Sequence, residues 1–214
     1  MICVALAELN FAKIMAILKT EEMVEIRIDL LNLTETQIIA IFRSHPNLVA
    51  TCRKGRYSDE ERQALLALAI RNGAAYVDLE CDSPEDWRRS LTQLAREHHT
   101  RLIISYHNFE LTPGLAELHL LLRNCEALPS DIVKIVTYCQ TESDAERLLS
   151  LYSINIKPLI AFGMGEAGRK SRLKALRLGA PFIYAAAETG QPTAPGQMTK
   201  NEILELLAEE SANV

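Results

Sequence analysis

The first candidate for chemistry is Lys134, which stands in the apolar stretch of residues 131–136 with the letters DIVKIV. The stretch has the length and composition of a buried strand, and lysine is rarely buried without a partner. Loss of water disfavours the charged form, so part of the population is expected as a free amine, which attacks carbonyl carbons. The alternative is that the four-carbon stem carries the charge out to solvent. These six residues alone leave both interpretations open.

Other polar side chains stand at the ends of neighbouring apolar stretches. They are Arg53, Asp78, Glu80, Ser105 and His107. Each is weak evidence alone, because a single histidine or glutamate at a strand end is more often a satisfied structural group. Their joint placement along one rim is much harder to obtain by chance. Polar residues at the C-terminal ends of barrel strands are typical of an active site.

Charged and apolar residues alternate in residues 24–30, which read VEIRIDL. A period of two places Glu25, Arg27 and Asp29 on one face of a strand. An exposed edge strand would explain this pattern. A closed barrel has no edge, however, and there the three side chains face inward, where they must pair or bind a ligand.

An anion site is predicted at Arg172, which follows the glycine-containing stretch 163–168 at the start of a predicted helix. A guanidinium group beside helix-terminal amides suits a carboxylate or a phosphate. The polar loop at residues 189–197 is long for a barrel loop. It is either an ordinary solvated loop or a lid that closes over a ligand.

Eight predicted strands position these residues. They cover residues 1–7, 24–31, 48–52, 75–79, 102–106, 132–136, 158–162 and 182–185. Eight helical segments alternate with them at about 27 residues per unit (214 residues over eight units). Strict alternation predicts a parallel sheet, and eight units predict one (β/α)8 TIM barrel domain over residues 1–214. An open doubly wound sheet is the alternative, weakened by the lack of a GxGxxG turn after the first strand.

Two serines are predicted to start helices. Ser58 with Glu61 has the spacing of a capping box before a helix that runs to Arg71. Ser83 precedes Pro84 and two acidic residues, which predicts a serine cap with proline in the first turn.

The composition favours a small molecule as the partner. The net charge is −5 and no block of consecutive Lys or Arg occurs, which argues against a nucleic-acid or anionic membrane surface. The apolar first residues lack a basic segment and reach Glu8 too early for a signal peptide or a membrane span. Five scattered cysteines without a CxxC pair are typical of reduced thiols in a cytoplasmic protein and predict no zinc or redox site.

Seven motifs occur along the chain in a characteristic order and spacing. They are EIRID at 25–29, TCR at 51–53, DLE at 78–80, SYHNF at 105–109, DIVKI at 131–135, the stretch 164–172, and APGQ at 194–197. Together they resemble type I 3-dehydroquinate dehydratase, the Schiff-base enzyme of the shikimate pathway in aromatic amino acid biosynthesis. The resemblance runs from the first strand to the last helix. Each motif is modest, but seven in register are specific.

By this resemblance, Lys134 forms an imine with the substrate ketone, His107 is the general acid and base, and Glu80 orients His107. Substrate contacts are expected from Glu25, Arg27, Arg53, Arg172, Thr193 and Gln197. The resemblance implies a lyase that converts the small molecule 3-dehydroquinate to 3-dehydroshikimate. It also implies that no metal or organic cofactor is needed and that the chain forms a homodimer.

The sequence departs from the family pattern at three places. Thr193 stands where many members have serine, and Ala5 stands where some have a serine that reaches the ligand. The N-terminal hairpin of longer members is expected to be missing. Two other functions remain open: a sugar-phosphate aldolase or transaldolase that uses Lys134 with Arg172 as a phosphate clamp, and a barrel that has lost activity and serves as a binding module.

Overall fold

The computed structural model of the chain describes residues 1–189 and 192–212, with side chains to residue 209. The strands are β1 Ile2–Leu6, β2 Val24–Arg27, β3 Leu48–Thr51, β4 Tyr76–Glu80, β5 Arg101–Asn108, β6 Ile132–Tyr138, β7 Leu159–Met164 and β8 Ile183–Ala186. The helices are α1 Phe11–Ile17, α2 Glu35–Ser44, α3 Asp59–Arg71, α4 Glu85–Glu97, α5 Leu115–Ala127, α6 Glu142–Leu149, α7 Ser171–Arg177 and α8 Lys200–Ala212. Short 3-10 turns lie at Ile28–Leu30 and Ser150–Ser153.

The strands form one parallel sheet in the order β7-β6-β5-β4-β3-β2-β1-β8. The strand β1 pairs with β8 as well as with β2, so the sheet curls back on itself. Within the described residues, β7 and β8 are not joined by a ladder. Aromatic rings span this seam instead, with Phe162 and Tyr184 centroids 6.5 Å apart. The result is a nearly closed barrel surrounded by helices, which confirms the predicted (β/α)8 fold.

Two apolar layers result from the alternation of side chains along the strands. On β6, Val133 and Ile135 belong to the large cluster shared with the helices. Ile132 and Val136 belong to a second cluster that contains strand residues facing the barrel interior. Because Lys134 has the same parity as Ile132 and Val136, its side chain enters the barrel rather than the helix layer.

The two predicted serine caps have different outcomes. At α3, Ser58 Oγ accepts from the Glu61 N–H at 3.2 Å and Glu61 Oε2 accepts from the Ser58 N–H at 2.8 Å, which confirms the capping box. The Ser83 cap is wrong. Pro84 itself occupies the cap position of α4 (φ −50°, ψ 137°), and the buried Ser83 Oγ has no hydrogen-bond partner in the described part of the chain. Ser83 is therefore one residue too far from the helix to reach its free N–H groups.

The second strand is shorter than predicted. It ends at Arg27, and the chain then turns through Ile28–Leu30. Arg27 forms a two-pronged ion pair with Asp29, with Nε to Oδ1 at 3.0 Å and Nη2 to Oδ2 at 2.6 Å. This pairing holds the two side chains together across the turn.

Candidate active site

A cavity of about 370 Å³ opens at the C-terminal ends of the barrel strands. All nine predicted site residues lie in its wall: Glu25, Arg27, Arg53, Glu80, His107, Lys134, Arg172, Thr193 and Gln197. Asp29 and Lys54 also line it, together with apolar and aromatic residues outside the predicted set: Leu30, Phe109, Val136, Phe162, Met164, Tyr184 and Ala194. The predicted rim of polar residues is thus one continuous pocket with an apolar backing.

Lys134 is buried, with only 5% of its surface exposed. Its Nζ lies 3.1 Å from Asp78 Oδ2 and 4.0 Å from the centre of the Tyr184 ring. A lysine whose charge escaped to solvent would have an exposed amine, so the snorkelling alternative does not describe this side chain. The amine is held inside the barrel by a carboxylate and an aromatic face.

Asp78 is the partner of Lys134, and it was not among the predicted site residues. Its Oδ1 accepts from Ser105 Oγ at 2.5 Å and lies 2.8 Å from Arg53 Nη2. Burial alone would raise the pKa of the Asp78 carboxyl, but Arg53 and Lys134 hold that pKa well below its usual range. A sequence signal existed, because Asp78 lies two residues before Glu80 and therefore shares its face of β4.

His107 is half-buried, with its Nδ1 shielded from solvent and without a hydrogen-bond partner among the described residues. Burial lowers the pKa of His107 well below its usual value, and the Arg53 and Lys134 charges lower it further. The ring stacks on Phe109, with centroids 6.0 Å apart and planes at 15°. The imidazole is therefore neutral at neutral pH and able to accept a proton.

Glu80 is held by arginines rather than by His107. Its Oε2 accepts from Arg62 Nη2 at 2.6 Å, and its Oε1 lies 3.9 Å from Arg53 Nη1. Arg62 is fully buried and also donates to the Cys52 carbonyl oxygen at 3.0 Å. In the described part of the chain no hydrogen bond joins Glu80 to His107, so the orienting role of Glu80 stays a prediction. Arg62 was not singled out from the sequence, because a charged residue in the first turn of a helix is usually exposed.

The remaining polar groups near β2 and β3 are fixed by neighbours. Glu25 Oε1 accepts from Thr51 Oγ1 at 2.8 Å inside the barrel. Arg53 Nη1 donates to Ser105 Oγ at 2.9 Å, while Arg27 is paired with Asp29. The predicted trio of Glu25, Arg27 and Asp29 does share the cavity, although Asp29 reaches it from a turn. Fixed donors and acceptors of this kind suit a small polar ligand.

Arg172 is a buried cation, only 1% exposed. Its Nη1 donates to the Gly196 carbonyl oxygen at 3.2 Å, but its buried Nε has no hydrogen-bond partner among the residues that the structure describes. Within the described residues no carboxylate lies within 4.0 Å of it, and its closest ring contact is Phe162 at 4.6 Å. Burial, followed by repulsion from Arg169, lowers the pKa of Arg172 to about 10. A buried cation that has no carboxylate partner is costly, so its position in a cavity wall suits an anionic ligand.

Close backbone contacts place Arg172 against the cavity. A Cβ on Gly163 would lie 2.4 Å from Cys139 Sγ, and a Cβ on Gly168 would lie 2.5 Å from the Gly163 carbonyl carbon. Ser171 Oγ ties the turn together by accepting from the Gly163 N–H at 2.7 Å and donating to the Gly168 carbonyl oxygen at 2.5 Å. The glycine-containing stretch is thus a tight turn that fixes the start of α7.

The last loop before α8 reaches the same turn. The Gly165 N–H donates to the Pro195 carbonyl oxygen at 3.0 Å. Thr193 donates to Gln197 Oε1 from its N–H at 2.7 Å and from its hydroxyl at 2.9 Å. Part of the predicted lid, residues 190 and 191, lies outside the described residues. The described part brings the Thr193 and Gln197 side chains together beside Arg172.

A barrel of eight parallel strands with a polar cavity at the C-terminal strand ends defines the class of (β/α)8-barrel enzymes. Comparison with known proteins narrows the class. The chain belongs to the type I 3-dehydroquinase family, whose model matches residues 2–213.

Individual relatives agree with the family. The chain is 36% identical over 196 residues to the 3-dehydroquinate dehydratase of Desulfotalea psychrophila, covering 87% of this chain and 86% of that one. The solved 3-dehydroquinate dehydratase of Aquifex aeolicus aligns over 98% of both chains with a TM-score of 0.80 and 29% identity. The type I enzyme of Clostridium difficile shares the fold with a TM-score of 0.85 at 23% identity, over 100% of this chain and 92% of that one.

The family and these relatives define the reaction as dehydration of 3-dehydroquinate, a hydro-lyase step of the shikimate pathway. Among the helices in residues 1–189 and 192–212, none is both long and apolar enough to cross a membrane. The same residues contain no group of three or more His, Cys, Asp or Glu side chains arranged to hold a metal ion.

Proposed function

We propose that Lys134 is the residue that forms an imine with the ketone of 3-dehydroquinate. The support is its position in the cavity wall, buried and aligned by Asp78 and the Tyr184 ring. An imine is an electron sink, so it makes a proton on the adjacent carbon acidic. Loss of that proton gives an enamine, which expels the β-hydroxyl as water and leaves the conjugated product imine. Hydrolysis of this imine releases 3-dehydroshikimate and frees Lys134.

His107 moves the proton in both directions. It lines the same cavity as Lys134, and the lowered pKa of its imidazole keeps it neutral and ready to accept the proton from carbon. Once protonated beside the Arg53 and Lys134 charges, it is a stronger acid than an ordinary imidazolium. It therefore donates the proton readily to the leaving hydroxyl.

Arg172 binds the substrate carboxylate. The observation that carries this assignment is its burial without a carboxylate partner among the described residues, together with its unsatisfied Nε. A ligand carboxylate would satisfy this donor and neutralise the charge. Thr193 and Gln197 lie beside it and hold the same end of the substrate, since Gln197 Oε1 already accepts two bonds from Thr193 and its amide nitrogen remains available as a donor.

Glu25, Arg27 and Arg53 contact the ring hydroxyls and the reacting region of the substrate. Each is fixed by a neighbour, through Thr51, Asp29 and Ser105 respectively. Glu80 lies 3.9 Å from Arg53, whose charge lowers the pKa of His107. Glu80 therefore acts on His107 by partly neutralising that charge.

The chain as a whole acts as one catalytic domain over residues 1–214, in the cytoplasm and as a homodimer. The five cysteines are all free thiols, which suits a reducing compartment.

The reaction is tested with Lys134→Ala and the matched variant Lys170→Ala, which removes an exposed lysine outside the cavity wall. The assay follows the absorbance of the conjugated enone product from 3-dehydroquinate. Lys134→Ala should lose nearly all turnover, whereas Lys170→Ala should keep it. Turnover of a sugar phosphate by the wild type, with 3-dehydroquinate inert, would contradict the proposal and favour the aldolase alternative.

A further inference from the structure

The buried carboxylate of Asp78 contacts three groups, two of which, Lys134 and Arg53, line the cavity. Its oxygens lie 3.1 Å from Lys134 Nζ, 2.8 Å from Arg53 Nη2 and 2.5 Å from Ser105 Oγ. Its side chain has no exposed surface. An ion of this kind is expensive to bury unless it is fully compensated, and these three contacts supply the compensation.

The other carboxylates of the cavity have different partners. Asp29 is paired with Arg27, and Glu80 is paired with Arg62. Within the described residues, Asp78 is the one carboxylate within 4.0 Å of Lys134 Nζ. The charge of the lysine nitrogen is therefore balanced by Asp78 alone at close range.

We propose that Asp78 is the counter-ion of the Lys134 nitrogen throughout the reaction, aiming the amine at the ketone and then stabilising the iminium cation. This inference rests on the proposed imine at Lys134. The resting ammonium group loses one proton to become the attacking amine. Attack on the ketone gives a carbinolamine, and its hydroxyl takes up one proton and leaves as water. The nitrogen is cationic at the beginning and at the end of this sequence, so one fixed anion serves both states.

Asp78 acts as an anion and not as a proton carrier. Arg53 and Lys134 hold the pKa of its carboxyl well below the usual range, so the group stays ionised while protons move around it. Its position is set by the sheet: Asp78 pairs with Thr51 on β3, and Ser105 on β5 pairs with Lys134 on β6. The carboxylate on β4 and the amine on β6 are thereby fixed on either side of β5, the strand that lies between them.

The test compares Asp78→Asn, which keeps the shape and removes the charge, with Asp78→Glu, which keeps the charge and moves it by one methylene. Asp82→Asn is the matched control, because it removes an exposed carboxylate two residues after β4. We expect Asp78→Asn to lower kcat by about 10- to 100-fold, the range for losing a charge-assisted contact. The rate at which Lys134 gains the borohydride-trapped adduct should fall by a similar factor, because the amine is no longer aimed at the ketone and the iminium has lost its anion. Asp82→Asn should match the wild type.

A purely structural role would lower the melting temperature without slowing the trapping of Lys134 in the folded protein. Asp78→Asn with a wild-type kcat and a wild-type trapping rate contradicts the proposal. If Asp78→Asn does not fold, Asp78→Glu decides: we expect kcat to fall at least about tenfold, and a wild-type kcat would refute the role. Borohydride trapping on the wild type is measured first. Without an adduct on Lys134 the proposed function itself fails, whereas with that adduct only the counter-ion role is in question.

Discussion

Replacement of Arg172 separates two quantities: the free-energy cost of burying this cation, and its contribution to substrate binding. The guanidinium is 1% exposed and has no carboxylate within 4.0 Å among the described residues. Its pKa is lowered to about 10 from an ordinary 12.5, chiefly by burial. At about 1.36 kcal/mol per pKa unit, this shift corresponds to about 3 kcal/mol for holding the charge without an anion. A substrate carboxylate recovers part of that free energy when it binds.

The perturbation is Arg172→Met, which keeps much of the side-chain volume and removes the charge. A charge-assisted hydrogen bond contributes about 1.5–3 kcal/mol, so KM for 3-dehydroquinate should rise by about 10- to 150-fold. Because Arg172 would hold the carboxylate equally before and after the hydroxyl leaves, kcat should change by less than about threefold. Without ligand, the variant should be more stable than the wild type by about 1–3 kcal/mol, which corresponds to a Tm increase of roughly 2–8 °C.

The assays are steady-state kinetics of product absorbance and thermal melting without ligand. Lys174→Met is the matched control, because Lys174 is exposed on the same helix α7. It should leave KM, kcat and Tm unchanged. An unchanged KM in Arg172→Met would refute the anion site. A fall in kcat at constant KM would instead place Arg172 at the reacting centre.

Four further predictions concern His107 and the turn before α7. His107→Ala should lose most turnover but still gain substrate mass in the mass spectrum, because the amine remains; failure to gain mass would show that His107 is needed for imine formation. Since the pKa of His107 is lowered, the neutral base persists in acid, and its limb of the pH–rate profile should lie below about pH 6.5. The same shift makes the folded state bind this proton more weakly than the unfolded chain, so its contribution to stability is complete above about pH 6.5 and is lost as the pH falls below that value. Melting curves of the wild type and His107→Gln at pH 7 and pH 5 test this, and equal losses of Tm would contradict it. Gly163→Ala should destabilise the fold by about 1–3 kcal/mol, because its Cβ would lie 2.4 Å from Cys139 Sγ. Denaturant unfolding measures this, with Gly114→Ala, whose Cβ meets open space, as the control.

The fold was predictable because each of its cues is local. Apolar runs alternate with helical segments, and the capping box at Ser58 marks the start of α3 as expected. These cues depend on residues close in sequence, so the sequence alone is enough to recognise them.

The side-chain partners were harder to predict because they depend on how the strands are staggered around the barrel. Lys134 meets Asp78 across 56 residues, and Glu80 meets Arg62 instead of the predicted His107. Both acids share one face of β4, and nothing in their spacing shows which one reaches the lysine. Asp29 illustrates a second difficulty, since a turn replaced the end of a predicted strand and yet kept the side chain at the cavity.

The central claim is that the reaction proceeds through an imine on Lys134, and reductive trapping tests it directly. The protein is incubated with 3-dehydroquinate, reduced with sodium borohydride, digested and mapped by mass spectrometry. The adduct should appear on the peptide that contains Lys134 and should be lost in Lys134→Ala. No adduct, or an adduct on Lys157 or Lys170, would contradict the mechanism proposed for this barrel.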